Sequence, residues 1–473
     1  MHVEVGYQRP SIRRHISFGL LTKFLTQPHA AMLQLAQEQG PIATLKVGKR
    51  VYTLLSDPED IREIIVVNTA QFRRADGARQ FQQFTDHSLL NVNGAEHLQQ
   101  RRQLQPAFHQ HLIDGFATTM IAFAQQTGQR WHDQMTVDMN EEMICMTISI
   151  IAKRLFDAIL TKEQCLTLMN TMALFSNIDV IPLGAWADDI PTPANVRRKK
   201  AGAALNDFVY GMIDEHRLNP TPPDDLLTML LQIRDAEGKP LRDSLIRDEM
   251  IALLFAGHDT TGNALAWAWY LLSQNPVVEA KLHAELDDVL GGRLPTVADL
   301  PRLTYLHGVF AEAMRLYPPA WSFGRIPLAD YSLHGHTLPA NSTVICSPYV
   351  VHHDPRWYPD PFICNPDRWE PEARAARPKL SYIPFSSGPH RCLGEQFSWM
   401  EGKMVLATLA QHWQARLVPG HAMRVKPGVT LRPRDGTRMV LSRREPAHGQ
   451  DRFAFAAHVP HDEHVAVAAG QNP

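Results

Sequence analysis

The sequence predicts a mainly α fold with a smaller β-rich region. Three observations carry that expectation. Helical periodicity runs through most of residues 96–290, one apolar stretch at 247–274 outlasts every other, and strand-like runs are confined to residues 42–55 and 331–347. In chain order, residues 30–39 have helical spacing and stop at Gly40-Pro41, a strong breaker pair. Residues 42–47 and 51–55 flank Gly48-Lys49-Arg50, which predicts a hairpin, and residues 58–67 restart a helix. The helical region that follows has proline-rich breaks at 181–193 and 219–225. Stretch 247–274 closes at Asn275-Pro276 and is apolar almost all round, so it predicts a buried central helix about 40 Å long. Helices are then expected at 276–290 and 305–316, ordered irregular chain at 354–391, and a last helix at 393–414. Residues 1–29 read as an N-terminal extension, 30–445 as the folded body and 446–473 as a disordered tail.

Composition narrows the function classes. Of 473 residues, 44% are hydrophobic and 20% charged, enough apolar material to bury a large core and a cofactor. The length alone allows two or three ordinary domains or one large one. Lys plus Arg (47) nearly balance Asp plus Glu (49), which excludes a strongly basic nucleic-acid binder. Five cysteines (Cys145, Cys165, Cys346, Cys364 and Cys392) are widely spaced without a Cys-x-x-Cys. A disulfide framework or structural zinc is therefore not expected, and a reducing, cytoplasmic setting is. No apolar run reaches the length of a membrane span, and the N-terminus lacks a signal-peptide core with a cleavage site.

Three local constellations carry chemistry. The first is Phe385-Ser-Ser-Gly388-Pro-His390-Arg391-Cys392-Leu393-Gly394, just before the last helix. An arbitrary lone Cys is a small buried hydrophobe. This one has glycines four residues before and two after, positive charge from His390 and Arg391, and a helix N-terminus aimed at it. All of these favour a thiolate. With no second Cys nearby, a bound metal would bring its own equatorial ligands, as haem does. The second is Ala256-Gly257-His258-Asp259-Thr260-Thr261 inside the central helix. Paired Thr beside Asp and Gly are poor helix formers, so a local widening or kink is expected there. An acid next to an alcohol in a buried groove can relay protons; the alternative reading is that Thr260 back-bonds to its own helix. His258 reads as a packing residue. The third is Glu312-Ala-Met-Arg315, an i, i+3 pair on one helix face, with Arg368 in a later loop. Together these three could form a buried ion network.

The motifs, in this order, resemble the cytochrome P-450 superfamily, the haem-thiolate monooxygenases, over roughly residues 30–445. The resemblance implies a single large domain, with haem b held between the central helix and the Cys-loop helix and Cys392 as the axial ligand of its iron. It places Ala256 and Gly257 at the oxygen-binding segment and Asp259 and Thr260 on the acid–alcohol pair. Glu312, Arg315 and Arg368 fall on the triad that holds the haem-binding core. In Gly94-Ala-Glu-His97-Leu-Gln-Gln-Arg101-Arg102, His97 and Arg101 match propionate-holding positions, His97 standing where many relatives carry Trp. Arg325 and His390 match further propionate contacts, and Phe385, Gly388 and Gly394 belong to the haem loop. Backbone N–H groups of Leu393 and Gly394 would donate to the sulfur.

By the same resemblance, dioxygen is a co-substrate and NAD(P)H supplies electrons through a separate ferredoxin or flavodoxin with its reductase. No electron-transfer domain is expected in the chain, which is read as a monomer. Arg101, Arg102, His390, Arg391 and Lys403 are candidates for a basic face toward that carrier. The family's pocket-lining segments here hold Phe81, Phe84, Leu89, Leu90, Phe175, Ile181, Leu253, Leu254, Trp321 and Phe323. An apolar lining implies a lipophilic substrate: a terpenoid, fatty acid, steroid-like or polyketide molecule. Residues 182–186 read as a flexible lid. The rival readings are a peroxide-driven or rearranging haem-thiolate enzyme and a non-enzymatic haem sensor. Both fit an intact acid–alcohol pair less well.

Overall fold

The structure, a computed structural model, describes residues 18–47, 50–75, 84–176, 190–234 and 238–445. Its centre is a 32-residue helix, Asp243–Gln274, that starts one turn earlier than its apolar pattern suggests. Most of its residues are buried, which explains why its hydrophobicity shows little sidedness. It packs along Met139–Phe156 and also meets Thr304–Leu316 and Glu395–Ala410. Two glycines permit the first contact. A Cβ at Gly257 would lie 2.8 Å from Ile151 Cγ1, and one at Gly262 would lie 2.9 Å from both Ile144 Cγ1 and Thr147 Oγ1. Of the expected widening or kink, the widening is not there. The helix is α throughout, and Thr260 Oγ1 donates to Ala256 O at 2.7 Å, absorbing the hydroxyl without opening a turn.

A five-stranded mixed sheet flanks the helices in the order Ile42–Val47, Arg50–Leu55, Thr343–Cys346, Phe323–Pro327, Phe72–Arg74. Only the Arg50–Leu55 and Thr343–Cys346 pair is parallel. A second sheet joins Thr136–Asp138, Arg438–Arg443 and Trp413–Leu417. Smaller two-stranded ribbons are Tyr331–Leu333 with His336–Leu338 and Val425–Pro427 with Leu431–Pro433. Several boundaries differ from the sequence reading. The expected helix at 58–67 divides into an α turn, Pro58–Arg62, and a π turn, Glu63–Val67. The last helix is Glu395–Ala410, not 393–414, because Trp413 leads a strand that pairs with Arg443. The strands after it escaped notice because they are short and interrupted by Pro and Arg, which blur the alternation. The turn at Gly48-Lys49, residues 182–186 and the tail 446–473 lie outside the described residues. At the other end, Phe18–Thr26 packs on Pro28–Gln39, with Leu20 in their shared core. Among the described residues, no helix is long and apolar enough to cross a membrane.

One buried histidine gives the fold a pH signature. His353 stacks between Tyr349 (4.3 Å) and Phe362 (4.9 Å), with its Nδ1 2.8 Å from Tyr349 O. Burial, with the nearby Arg315 charge, lowers its pKa from 6.5 to about 3. Between those values the unfolded chain takes up a proton that the native state refuses. The neutral ring therefore contributes stability above pH 6.5, and that contribution is lost as pH falls toward 3. We expect His353→Gln to flatten the pH dependence of unfolding free energy between pH 6 and 4.5 by about 1.4 kcal/mol per pH unit. Urea melts of both proteins across that range would measure it, and parallel slopes would refute the assignment.

Candidate active site

Four positions of the central helix, Leu253, Ala256, Gly257 and Thr260, are partly accessible between buried neighbours. Their i, i+3, i+4, i+7 spacing makes one stripe, the helix face left open to a ligand. Gly257 serves two needs, since its missing Cβ also seats the helix on Ile151. Leu254 and His258 are buried away from the stripe. His258 Nδ1 lies 2.7 Å from Leu254 O, its ring meets Phe255 edge-on, and burial lowers its pKa, as a packing residue requires.

Asp259 is buried beside the stripe, and each oxygen of its carboxylate accepts one side-chain hydrogen bond. Asn263 Nδ2 donates to Oδ1 at 3.0 Å, and the Thr430 hydroxyl donates to Oδ2. Asn263 is in turn held by Asn140, whose Nδ2 donates to Asn263 Oδ1 at 2.9 Å. Among the described residues no salt bridge reaches Asp259, so neutral donors alone fix it. Both partners were missed in the sequence: Asn263 had a local signal, its i+4 spacing from Asp259, while Thr430, 171 residues away, had none.

The Cys loop is shaped by its glycines and by main-chain bonds. Gly388 has φ +69°, and a Cβ there would come within 2.0 Å of Ile65 O, so only glycine fits against the π turn. Cys392 N donates to Phe385 O at 2.9 Å, closing the loop, while the Phe385 ring packs near Trp399. The nearest atom to a Cβ placed on Gly394 would be Phe108 Cε1 at 4.0 Å, so this glycine, unlike Gly388, is not demanded by close packing. Cys392 is exposed to solvent, although protein atoms crowd its sulfur. Burial pushes the thiol up to about 11, against the Gly394 N–H, Arg101 and Arg391, which favour the thiolate. His390 does not supply the positive charge expected of it. Burial and the neighbouring Arg74 and His97 lower its pKa to about 2, which leaves it neutral. Among the described residues no group of three or more His, Cys, Asp or Glu side chains gathers as a metal site. A metal held by Cys392 would need equatorial ligands of its own.

Beside the loop lies a cluster of basic side chains in which the arginines are the cations. The rings of His97 and His390 are 4.0 Å apart. Arg74 and Arg325 stand directly opposite each other on antiparallel strands, an arrangement that is ordinarily destabilising. Burial lowers Arg74 to about 10 and Arg325 in the same direction, and it lowers His97 to about 4 with help from Arg74, Arg101 and Arg325. Among the described residues no carboxylate pairs with Arg74 or Arg325, and His390 Nδ1 is buried without a partner. Such a cluster fits a dianion, as the two propionates of haem would be. Arg74 was missed in the sequence; the Arg73-Arg74 pair was its only signal.

Glu312, Arg315 and Arg368 do converge. Arg315 grips both Glu312 oxygens at 2.8 Å, and Arg368 Nε is 3.6 Å from Glu312 Oε1, with Glu312 and Arg315 inaccessible to solvent. Of the pocket candidates, Phe81 and Ile181 lie outside the described residues. Phe84 and Phe175 stack at 4.9 Å. Leu89 is buried in the main core with Leu90 packed against it, and the Leu89 N–H donates to Glu249 on the central helix at 2.9 Å. Trp321 is buried and donates its Nε1–H to Gly428 O at 2.9 Å. Phe323 lies beneath the Arg325 guanidinium at 5.3 Å. The expected basic face is reduced. Arg391 is paired with Glu395 (2.5 and 2.8 Å), Arg101 donates to Arg391 O, and burial lowers the pKa of Lys403. Arg102 remains exposed.

Comparison with known proteins agrees with this geometry. Residues 10–437 match the family model for cytochrome P450. Cyclooctatin synthase of Streptomyces melanosporofaciens is 36% identical over 400 residues, covering 83% of this chain and 86% of the relative. Pentalenene oxygenase of Streptomyces avermitilis is 31% identical over 413 residues, covering 86% and 91%. In fold, a retinoic-acid-bound cyanobacterial CYP120A1 superposes with a TM-score of 0.80, 24% identity and coverage of 89% of this chain and 96% of that one. With the family model matched along nearly the whole chain and relatives above 30% identity covering most of it, this protein belongs to the cytochrome P450 family, the haem-thiolate oxidoreductases.

Proposed function

We propose that this chain is a monooxygenase that inserts one oxygen atom into a cyclic terpenoid, drawing electrons from a separate ferredoxin or flavodoxin. The observation that carries the reading is the Asp259–Thr260 pair at the accessible stripe of the central helix. The substrate class is supported by relatives that include a cyclooctat-9-en-7-ol 5-monooxygenase of Streptomyces melanosporofaciens, 32% identical over 388 residues, and the pentalenene oxygenase. The stacked Phe84 and Phe175 and the stripe residue Leu253 suit such a compact apolar body. In balance, one substrate C–H bond, dioxygen, two electrons and two protons give an alcohol and water.

Cys392 would hold the iron, while Arg74, His97, Arg101 and Arg325 would receive the propionates. Bound haem supplies the oxygen activation, which a thiolate ligand favours. The chain's own task is proton handling and the exclusion of water. Thr260 has given its hydrogen to Ala256 O, so its oxygen lone pairs accept a hydrogen bond from the stripe side. Asp259 takes up a proton on a lone pair that Thr430 and Asn263 do not use and releases it on the stripe side, where Thr260 Oγ1 holds the receiving group by accepting a hydrogen bond from it. The carrier would dock near Arg102, with the pairing of Arg391 to Glu395 limiting the positive charge presented.

The test uses haem-loaded protein with a bacterial ferredoxin and its reductase, and pentalenene and related cyclic terpenoids as substrates. Oxygenated product is expected, and Asp259→Asn should lower its rate by about 100-fold or more. Turnover by hydrogen peroxide alone, indifferent to Asp259→Asn, would favour the peroxide-driven reading instead.

A further inference from the structure

Thr430 lies at the tip of the ribbon formed by Val425–Pro427 and Leu431–Pro433, far from the central helix in sequence but touching its acid in space. Its side chain is buried, and its hydroxyl is donated to Asp259 Oδ2. That leaves the acid held from two sides: by Asn263 on its own helix and by Thr430 from outside it. The first hold is rigid, since Asn263 is locked by Asn140 on a neighbouring helix. The second depends on where the ribbon tip sits.

The tip is tied to segments that line the pocket. Val429 N donates to Ser176 O at 2.9 Å, next to Phe175. Gly428 O accepts from Trp321 Nε1 at 2.9 Å, and Leu431 N donates to Pro319 O at 3.0 Å. Gly428 is pressed so closely on Ser176 that a Cβ there would lie 2.7 Å from its carbonyl oxygen. Below the tip, Trp267 of the central helix donates to Leu431 O at 3.0 Å. Residues 428–431 therefore form one tightly bonded piece that joins the Phe175 segment, the 319–321 loop and the central helix.

We infer that Thr430 is a positioning residue for the reaction: its hydroxyl sets the orientation of the Asp259 carboxylate and couples that orientation to the pocket-lining segments bonded to the ribbon tip. The inference rests on the proposed role of Asp259 in proton delivery. A neutral hydroxyl suits the task better than a cation would. It fixes the direction of one oxygen without an ion pair, leaving the second lone pair on each oxygen to take up and release a proton. A substrate that displaces Phe175 or Trp321 moves the tip and, through it, the acid.

Four haem-loaded proteins test this: the parent, Thr430→Val, Thr430→Ser and Asp259→Asn. The first readout needs no turnover. With carboxyl-labelled aspartate, the infrared carboxylate band lost in Asp259→Asn identifies Asp259. Thr430→Val is expected to move that band, and Thr430→Ser to restore it. The second readout divides the electrons consumed, with pentalenene present, between oxygenated product and hydrogen peroxide. Thr430→Val should raise the peroxide share several-fold and slow product formation by about 10-fold, short of the loss expected from removing the acid itself. Thr430→Ser should stay near the parent. Haem content and thermal midpoints matching the parent guard against simple misfolding. A valine variant with an unmoved band, or with the parent's partition while Asp259→Asn is impaired, overturns the inference. If Asp259→Asn itself keeps the parent's partition although the valine variant moves the band, the proton-delivery reading fails first, and the coupling built on it goes with it.

Discussion

Glu312→Ala is expected to lower unfolding stability by about 3–5 kcal/mol, the cost of leaving a buried cation without its partner. Glu312 is wholly buried and accepts four hydrogen bonds: two from Arg315, one from the Asn365 N–H at 2.9 Å and one from Trp369 Nε1 at 3.1 Å. The alanine would orphan all four donors and strand Arg315. Glu312→Gln keeps the volume but turns an N–H₂ toward the Arg donors, so a large part of the loss should remain. The damage should spread to the haem loop along a defined route. Arg315 also donates to the carbonyl oxygens of His352, Pro361 and Ile363, and His352 Nε2 accepts from the Ile383 N–H at 2.9 Å, two residues before Phe385. Burial keeps His352 neutral, which that acceptor role requires. Urea unfolding monitored beside haem retention would measure both effects. A variant within about 1 kcal/mol of the parent would refute the network's structural role.

Cys392→Ala should abolish the strongly red-shifted band that carbon monoxide gives with the reduced parent, and oxygenated product should fall to background. Haem need not be lost with it, because Arg74, His97, Arg101 and Arg325 are untouched by the change. The other thiols offer no substitute. Burial raises Cys145, Cys346 and Cys364 to about 12 and shifts Cys165 the same way, and none lies in the loop. Difference spectra of the two proteins at equal haem content decide the matter. An unchanged band in the alanine variant would mean that another side chain holds the iron.

What the sequence disclosed, and what it hid, follows from how each feature is encoded. Cys392 with its glycines, Asp259-Thr260, and Glu312 with Arg315 were legible because each is one contiguous run or one helix turn. The central helix was legible because burial on all sides demands an unbroken apolar run. The basic cluster beside the Cys loop was not wholly visible. His97, Arg101, Arg325 and His390 fall in recognisable surroundings, but Arg74 belongs to a three-residue strand whose meaning comes from its register opposite Arg325. Thr430 and the Phe84–Phe175 stack depend on contacts between segments distant in the chain, which leave no local pattern. The charge expected from His390 failed for a different reason: residue type suggests a cation, but crowding by arginines and loss of water remove the proton.

The seating of Gly257 and Gly262 against Ile151, Ile144 and Thr147 restricts how this enzyme can change its diet over evolutionary time. A roomier chamber cannot come from sliding the central helix backward, because no slack exists behind it. Sliding it forward would open a void costing about 24 cal/mol per Å³. Even a Gly257→Ala drift would have to be matched by a smaller residue at position 151. New substrates are therefore reached without moving this helix, through side chains that do not seat it on Ile144, Thr147 and Ile151. The helix stays fixed while the rooms around it are rebuilt.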